Sequence, residues 1–340
     1  MGQYLSAPVT KKETLHQDLP HLQIGVSSQQ GWRKTQEDSH VCAQLEGNTM
    51  LFGVFDGHGG GEVAKFCAEH IHEEIKSIPE FQNKQYGESL IAVFHRMDDM
   101  LRTPEGVARL RHFREGSVEA KDEENSFDFI RTLLVAQQGA RQADYEDYGG
   151  CQEEVQAGCT AVVAILDGNT LYVANAGDSR AVLSRQGKAV ALSYDHKPSH
   201  PTERERIISA GGFLSEIGGM CRVNGNLNLS RAIGDLKYKS NQELHPSAQI
   251  ITAEPDIEET TLQKGDEFLV LACDGIWDVM NNQEVIDFVR KGLLQGKTCE
   301  SIASDILDNC IATDPKENRG IGCDNMTCCI VNFKDEFFFS

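Results

Sequence analysis

Two apolar runs in this chain end in the same way. Met50-Leu51-Phe52-Gly53-Val54-Phe55 leads into Asp56-Gly57-His58-Gly59-Gly60, and Phe268-Leu269-Val270-Leu271-Ala272-Cys273 leads into Asp274-Gly275. Each run has the length and composition of a buried strand, so a carboxylate is planted at the tip of each of two strands. The glycine that follows lets the backbone turn sharply and lets another group approach closely. Each tip therefore offers a side-chain oxygen and an exposed carbonyl, which is what a hard metal ion needs. Asp-Gly alone is a common turn dipeptide. The weight comes from the other acidic residues at comparable positions.

Further strands are expected at Ile24 to Ser28 and Ser39 to Gln44. Thr160 to Leu166 with Leu171 to Ala176, and Arg180 to Ser184 with Ala189 to Leu192, read as hairpins around Asp167-Gly168-Asn169 and Gln186-Gly187. Such short connections impose antiparallel pairing. Glu62 to Ile78 carries Val63, Phe66, Cys67, Ile71 and Ile75 at helical spacing, and Leu90 to Leu101 and Glu284 to Arg290 also read as helical. The segment from Thr103 to Ala157 is rich in Asp and Glu; it reads as a solvated acidic insertion, helical from Phe127 to Tyr145.

The chain has 340 residues, 40% of them hydrophobic, enough for one large domain with a substantial core. A formal net charge of −20 disfavours nucleic acid or a bare anionic membrane as the main partner. Eleven cysteines with no C-x-x-C pair and no secretory signal point to reduced thiols and a cytoplasmic location. No stretch reaches the ~20 apolar residues needed to span a bilayer.

Acidic residues stand where strands meet turns at Glu37-Asp38, Asp178, Asp278 and Asp324-Asn325, the last pair just before a strand from Met326 to Phe333. Carboxylate and carbonyl oxygens suit Mg²⁺ or Mn²⁺, whereas zinc would call for a His or Cys cluster. Glu37 and Asp38 are adjacent, so on extended chain they face opposite ways and one of them is the direct ligand. If a helix starts after Gly275, Asp274 is its N-cap and Asp278 lies on the same side one turn on.

These segments resemble the metal-dependent protein serine/threonine phosphatase family, type 2C, from about Ile24 to Phe333. The resemblance rests on Arg33 with Glu37-Asp38, Asp56-Gly57-His58-Gly59-Gly60, Gly158-Cys159-Thr160-Ala161, Ala176-Gly177-Asp178-Ser179-Arg180, Asp195-His196-Lys197-Pro198 and Arg222-Val223-Asn224-Gly225. It continues through Ser230-Arg231-Ala232-Ile233-Gly234-Asp235, Asp274-Gly275-Ile276-Trp277-Asp278 and Asp324-Asn325-Met326-Thr327. It implies an α+β fold, a four-layer α-β-β-α sandwich of two antiparallel sheets flanked by helices, with a metal centre at one end. The corresponding organisation is a flexible N-terminal tail over residues 1–22, a catalytic domain over 23–334 with the insertion at 103–157 and a flap at 195–230, and a short tail over 335–340.

By the same resemblance, Asp56 bridges two core ions, Asp274 and Asp324 complete one site, and Glu37 with the Gly57 carbonyl completes the other. Asp38 would hold a water on the metal, and Asp178 and Asp278, with Asp274, form a weaker third metal site. Arg33 would grip the substrate phosphate in a bidentate, charge-assisted pair that Lys could not reproduce. His58 would be the general acid for the leaving alkoxide. The implied reaction is hydrolysis of phosphoserine and phosphothreonine in proteins by a water or hydroxide bridging two Mg²⁺ or Mn²⁺ ions, in a monomer whose partners are phosphoproteins. The thiolate-phosphatase signature is absent, since no Cys is followed six residues later by Arg.

Cys159 and Asn228 depart from the family's usual residues, although neither is an expected ligand. Gly292 to Thr298 imitates a phosphate-binding loop but has the wrong glycine spacing and follows a helix, not a strand. Met1-Gly2-Gln3-Tyr4-Leu5-Ser6 fits the N-myristoylation pattern, with an unmodified tail as the alternative. One acyl chain on Gly2 would give only weak, reversible membrane attachment. The competing functional readings are a catalytically inactive phosphoprotein-binding relative, which would be expected to have lost a ligand, and a phosphatase of small molecules.

Overall fold

The computed structural model describes residues 4–116, 156–334 and 337. Two antiparallel sheets form the centre. The first is ordered Val9–Asp18, Leu22–Gly31, Met326–Phe333, Asp266–Ala272, Arg180–Arg185, Lys188–Ala191. The second is ordered Asp256–Thr261, Thr170–Ala176, Ala161–Asp167, Met50–Phe55, Ser39–Gln44. Both expected hairpins form, with Leu166 opposite Leu171 and Ala189 opposite Ser184.

Strand alternation decides which side chains fill which layer. Ile24, Val26, Leu269, Leu271, Cys329 and Val331 of the first sheet meet Met50, Phe52, Val54, Val162 and Ala164 of the second to form the core between the sheets. The intervening residues face outward. Phe268, Val270, Cys328 and Ile330 pack against Val285, Ile286 and Val289 of the Asn282–Leu294 helix and Ile302, Ala303 and Ile306 of the Cys299–Cys310 helix. On the other side, Leu51, Phe55, Val163 and Ile165 pack against Val63, Phe66 and Ile71 of the Glu62–Glu74 helix and Leu90, Phe94 and Met97 of the Tyr86–Leu101 helix. Three apolar layers separate four layers of secondary structure, as expected. Each fully buried Leu, Ile or Phe side chain contributes roughly 1.5–3 kcal/mol to this core.

Four expectations need correction. Residues 1–22 are not a flexible tail throughout. Val9–Asp18 is an edge strand paired with Leu22–Gly31, Leu15 lying opposite Val26, and upstream of it the Leu5 amide donates to the Trp32 carbonyl at 2.9 Å. The strand was hidden because its only clear apolar contact with the core is Leu15; Lys12 and His16 instead tie it to Asp308 and Glu300 of the neighbouring helix. Second, the segment starting at Thr103 does not leave the domain at once. Pro104–Gly116 is a helix whose Leu110 is buried in the helical layer over the second sheet, with Arg114 paired to Glu62 at 2.8 Å. The expected helix from Phe127 to Tyr145 lies outside the described residues, as does Gly2. Third, Asp274 is not an N-cap: Cys273 stands at the N-cap position of a one-turn helix, Asp274–Trp277, in which Asp274 is the first residue. Fourth, the Glu62 to Ile78 helix breaks near its end, where Ile75–Ser77 tightens into a 3-10 turn ahead of Pro79.

The expected flap, residues 195–230, contains the helix Pro201–Ser209 and the hairpin Leu214–Ile217/Met220–Val223. Its base is fastened by buried Glu203, which accepts from Arg231 Nη2 at 2.7 Å, Arg206 Nη1 at 2.7 Å and Ser230 Oγ at 2.6 Å. No helix among the described residues is long and apolar enough to cross a membrane.

Candidate active site

Antiparallel pairing explains how distant acidic residues reach one end of the sandwich. Ser39 lies opposite Phe55, so Asp38 before the first strand and Asp56 after the second emerge together. In the other sheet, Ala272 lies opposite Cys328 and Met326 opposite Gln29, which gathers Asp274, Asp324 and the turn carrying Arg33 at the same end. The approach is close: a Cβ on Gly275 would stand 2.0 Å from the Asn325 carbonyl oxygen, so only glycine permits the Asp274 turn to lie against the Asp324-Asn325 turn.

Asp38 is buried, and its Oδ2 accepts from Thr327 Oγ1 at 2.7 Å and from the Cys273 thiol at 3.3 Å. Its Oδ1 is buried with no hydrogen-bond partner among the described residues. Ligand atoms of Asp38, Asp56 and Cys273 lie within 4.8 Å of one another. Burial pushes the Asp38 carboxyl up to about 7, against the lowering effect of the Thr327 hydrogen bond. Asp56 is held well above the usual carboxylate range by burial and by the negative charges of Asp274, Asp38, Asp324 and Asp178. Asp274 is raised likewise by burial, Asp178, Asp324 and Asp278. A set of oxygen donors that mutually repel and leave one buried lone pair unmet fits a divalent hard cation, which would remove both penalties at once.

The other expected site residues fall around this cluster. Glu37 accepts from Thr35 Oγ1 at 2.8 Å and from the Gly60 amide at 3.3 Å, while its own amide donates to Asn325 Oδ1 at 3.0 Å. Glu37 and Asp38 thus occupy different surroundings, as their alternation requires. Gly57 begins a two-residue strand, Gly57–His58, paired with Gly158–Cys159. Arg33 reaches across to Asp324, Nη2 to Oδ2 at 2.5 Å; burial opposes its charge, but Asp324, Asp274 and Asp56 hold the guanidinium charged. His58 Nε2 lies 2.6 Å from Asp235 Oδ2. Burial pulls the imidazole down, yet Asp235, with Asp178 and Glu37, leaves it raised overall. Asp178 is buried against Lys197, Nζ to Oδ2 at 2.5 Å, and Asp278 is exposed one turn beyond Asp274.

Sequence reasoning assigned no role to several residues that shape this site. Thr327 and Cys273 fix Asp38. The Asn325 amide spans the Gln30 and Thr35 carbonyls at 2.8 and 2.9 Å and so sets the turn between Arg33 and Glu37. Lys197 and Asp235 were visible only as members of longer motifs, because nothing local marks a lysine or an aspartate as the counter-ion of a residue far along the chain.

A family model described as protein phosphatase 2C matches residues 22–122 and 106–319. A probable protein phosphatase 2C of Oryza sativa subsp. japonica is 42% identical over 342 residues, covering 98% of this chain and 91% of that protein. A protein phosphatase 2C homolog of Schizosaccharomyces pombe is 42% identical over 342 residues, covering 98% of this chain and 79% of that protein. Among solved structures, a phosphatase from Toxoplasma gondii superposes with a TM-score of 0.66 at 22% identity, covering 95% of this chain and 96% of that one, which bears on the fold alone. With a family model over most of its length and relatives at 42% identity along nearly all of it, this chain belongs to the protein phosphatase 2C family.

Proposed function

We propose that the protein is a metal-dependent phosphatase of phosphoserine and phosphothreonine in proteins. The observation that carries this reading is the convergence of Asp38, Asp56, Asp274 and Asp324 at one end of the sandwich, with an unpaired buried oxygen on Asp38 and a charged arginine on the rim. Asp56 would be shared between two Mg²⁺ or Mn²⁺ ions, Asp274 and Asp324 serving one, Glu37 and the Gly57 carbonyl the other. When bound, such ions supply an acidified water and neutralise phosphoryl charge. Asp178 and Asp278, with Asp274, are the candidates for a weaker third ion.

The remaining work falls to the chain's own groups. Asp38, locked by Thr327 and Cys273, orients the attacking water. Arg33 holds two phosphoryl oxygens with the part of its guanidinium not engaged by Asp324, and its fixed plane selects the in-line orientation. His58 gives a proton to the departing serine or threonine oxygen. The matched relatives are named protein phosphatases, which supports phosphoproteins as the substrates over small metabolites. The deciding experiment is hydrolysis of a phosphoserine peptide by chelated protein with and without added Mn²⁺. Restoration by Mn²⁺ is expected, and full turnover by the chelated protein would defeat the reading.

A further inference from the structure

Asp235 is a buried carboxylate to which the proposed reaction gives no task. Its side chain is 1% exposed, and the one hydrogen bond found for it among the described residues is to His58, whose side chain is 24% exposed. A small three-stranded sheet sets this pair. Gly57–His58 pairs with Gly158–Cys159, which pairs in turn with Ile233–Gly234, so that His58, Gly158 and Gly234 stand in one row. Asp235 follows immediately, at φ 50° and ψ 38°, a left-handed conformation that non-glycine residues rarely adopt.

The surroundings hold it there. The Asp235 amide donates to the Ala157 carbonyl at 3.0 Å, and its carbonyl accepts from the Tyr238 amide at 2.9 Å. The preceding Gly234 amide donates to buried Asp98 at 2.7 Å, and Asp98 is itself neutralised by Lys239 at 2.5 Å. Between the two partners lies Gly158, where a Cβ would come within 2.4 Å of Asp235 Oδ2 and 2.7 Å of His58 Nε2. A strained backbone, an excluded side chain and a buried ion pair all serve one 2.6 Å contact. His58 Nδ1 makes no hydrogen bond to any described residue.

We infer that Asp235 is the positioning residue of His58: it holds Nε2–H, fixes the ring, and makes Nδ1 the atom that delivers the proton to the leaving group. This rests on the phosphatase reading above. The step balances. As the bond from phosphorus to the serine or threonine oxygen breaks, that oxygen keeps the electron pair and takes the Nδ1 proton, while water forms the new bond to phosphorus and gives up one of its protons to solvent. The imidazole is left neutral with Nε2–H still on Asp235, and a proton from solvent restores Nδ1–H after the products leave.

The test compares kcat of the Mg²⁺-loaded full chain on a phosphoserine peptide and on p-nitrophenyl phosphate, whose leaving group needs no proton. Wild type, Asp235→Asn, His58→Gln and the double variant are measured. Asp235→Asn is expected to lower kcat on the peptide by about 10–100-fold and on the aryl phosphate by at most about threefold, with KM little changed. The double variant should be no slower than His58→Gln alone, because both changes remove one function. Equal losses on both substrates, or losses that multiply in the double variant, would make Asp235 merely structural and overturn the inference. Absence of metal-dependent hydrolysis by wild type would instead overturn the phosphatase reading, and this inference with it. Should Asp235→Asn not fold, ¹⁵N imidazole resonances of the wild-type protein decide: Nε2 carrying a proton is expected, and an unprotonated Nε2 with Nδ1–H sinks the proposal.

Discussion

Arg33 Nη2 lies 2.5 Å from Asp324 Oδ2, joining residues 291 positions apart at the mouth of the acidic cluster. The pair places the proposed phosphate clamp directly against a proposed metal ligand. Asp324 therefore fixes the Arg33 side chain and holds the guanidinium beside the acidic cluster.

Removing that clamp should weaken binding more than chemistry. Arg33→Ala is expected to raise KM for a phosphopeptide by about 10–100-fold, the equivalent of one or two charge-assisted hydrogen bonds, with a smaller fall in kcat. Arg33→Lys should recover only part, since a point charge cannot hold two oxygens in a plane. Steady-state kinetics at saturating metal measure both, and an unchanged KM in Arg33→Ala would remove Arg33 from the phosphate site.

The central carboxylate should be indispensable. Asp56→Asn is expected to cost at least about 100-fold in activity, because in the proposed arrangement its charge would serve both ions. The same substitution relieves a cluster in which Asp56 is already pushed up by burial and four neighbouring carboxylates. Its metal-free form should accordingly melt no lower than metal-free wild type, and a large drop in Tm without metal would contradict the account of mutual repulsion.

The flap base gives a pH prediction free of the metal site. Burial opposes the Glu203 charge, yet Arg231 and Arg206 hold its carboxyl down at about 2, below its ordinary 4.5. A group depressed on folding stabilises above its unfolded pKa, and that stabilisation is lost as pH falls toward the folded value. Glu203→Gln is expected to lose about 3 kcal/mol at pH 7, leaving two half-buried arginines short of a partner. The difference between variant and wild type should shrink between about pH 4.5 and 2 as the wild-type carboxylate protonates. Denaturant melts across that range check it; a difference independent of pH would mean that packing, and not charge, fastens the flap.

Close backbone approach gives a fourth prediction. Gly275→Ala would set a methyl group 2.0 Å from the Asn325 carbonyl oxygen, forcing the Asp274 and Asp324 turns apart. A loss of about 2–4 kcal/mol in stability is expected, together with weaker Mn²⁺ activation. Thermal melting and a Mn²⁺ titration separate the two effects, and a variant that is wild type in both would show that the turns can slide.

Much of the architecture was legible in the sequence because it is written in local patterns. Continuous apolar runs of strand length, Phe268 to Cys273 and Met50 to Phe55, gave the strands, and Asp167-Gly168-Asn169 and Gln186-Gly187 gave the hairpins. The Val9–Asp18 strand was not legible, since an edge strand has little apolar surface to bury and its polar residues look like a tail. Pro104–Gly116 reads by its charge, while Leu110 and Phe113, the side chains that dock it on the helical layer, are few apolar positions among many polar ones.

For the site, residue type and position at strand ends were enough to name Asp56, Asp274, Asp324 and Glu37-Asp38 as candidate oxygen donors, because hard-metal chemistry constrains composition. Only the tertiary structure decided the pairings: Arg33 with Asp324, Lys197 with Asp178, Thr327 and Cys273 on Asp38, and Asp235 on His58. Those contacts join residues 19 to 291 positions apart. A sequence records which groups a chain carries and how each segment folds locally. Which charge neutralises which is fixed by sheet register and by the close approach of turns from different strands, and that information appears once the layers have packed.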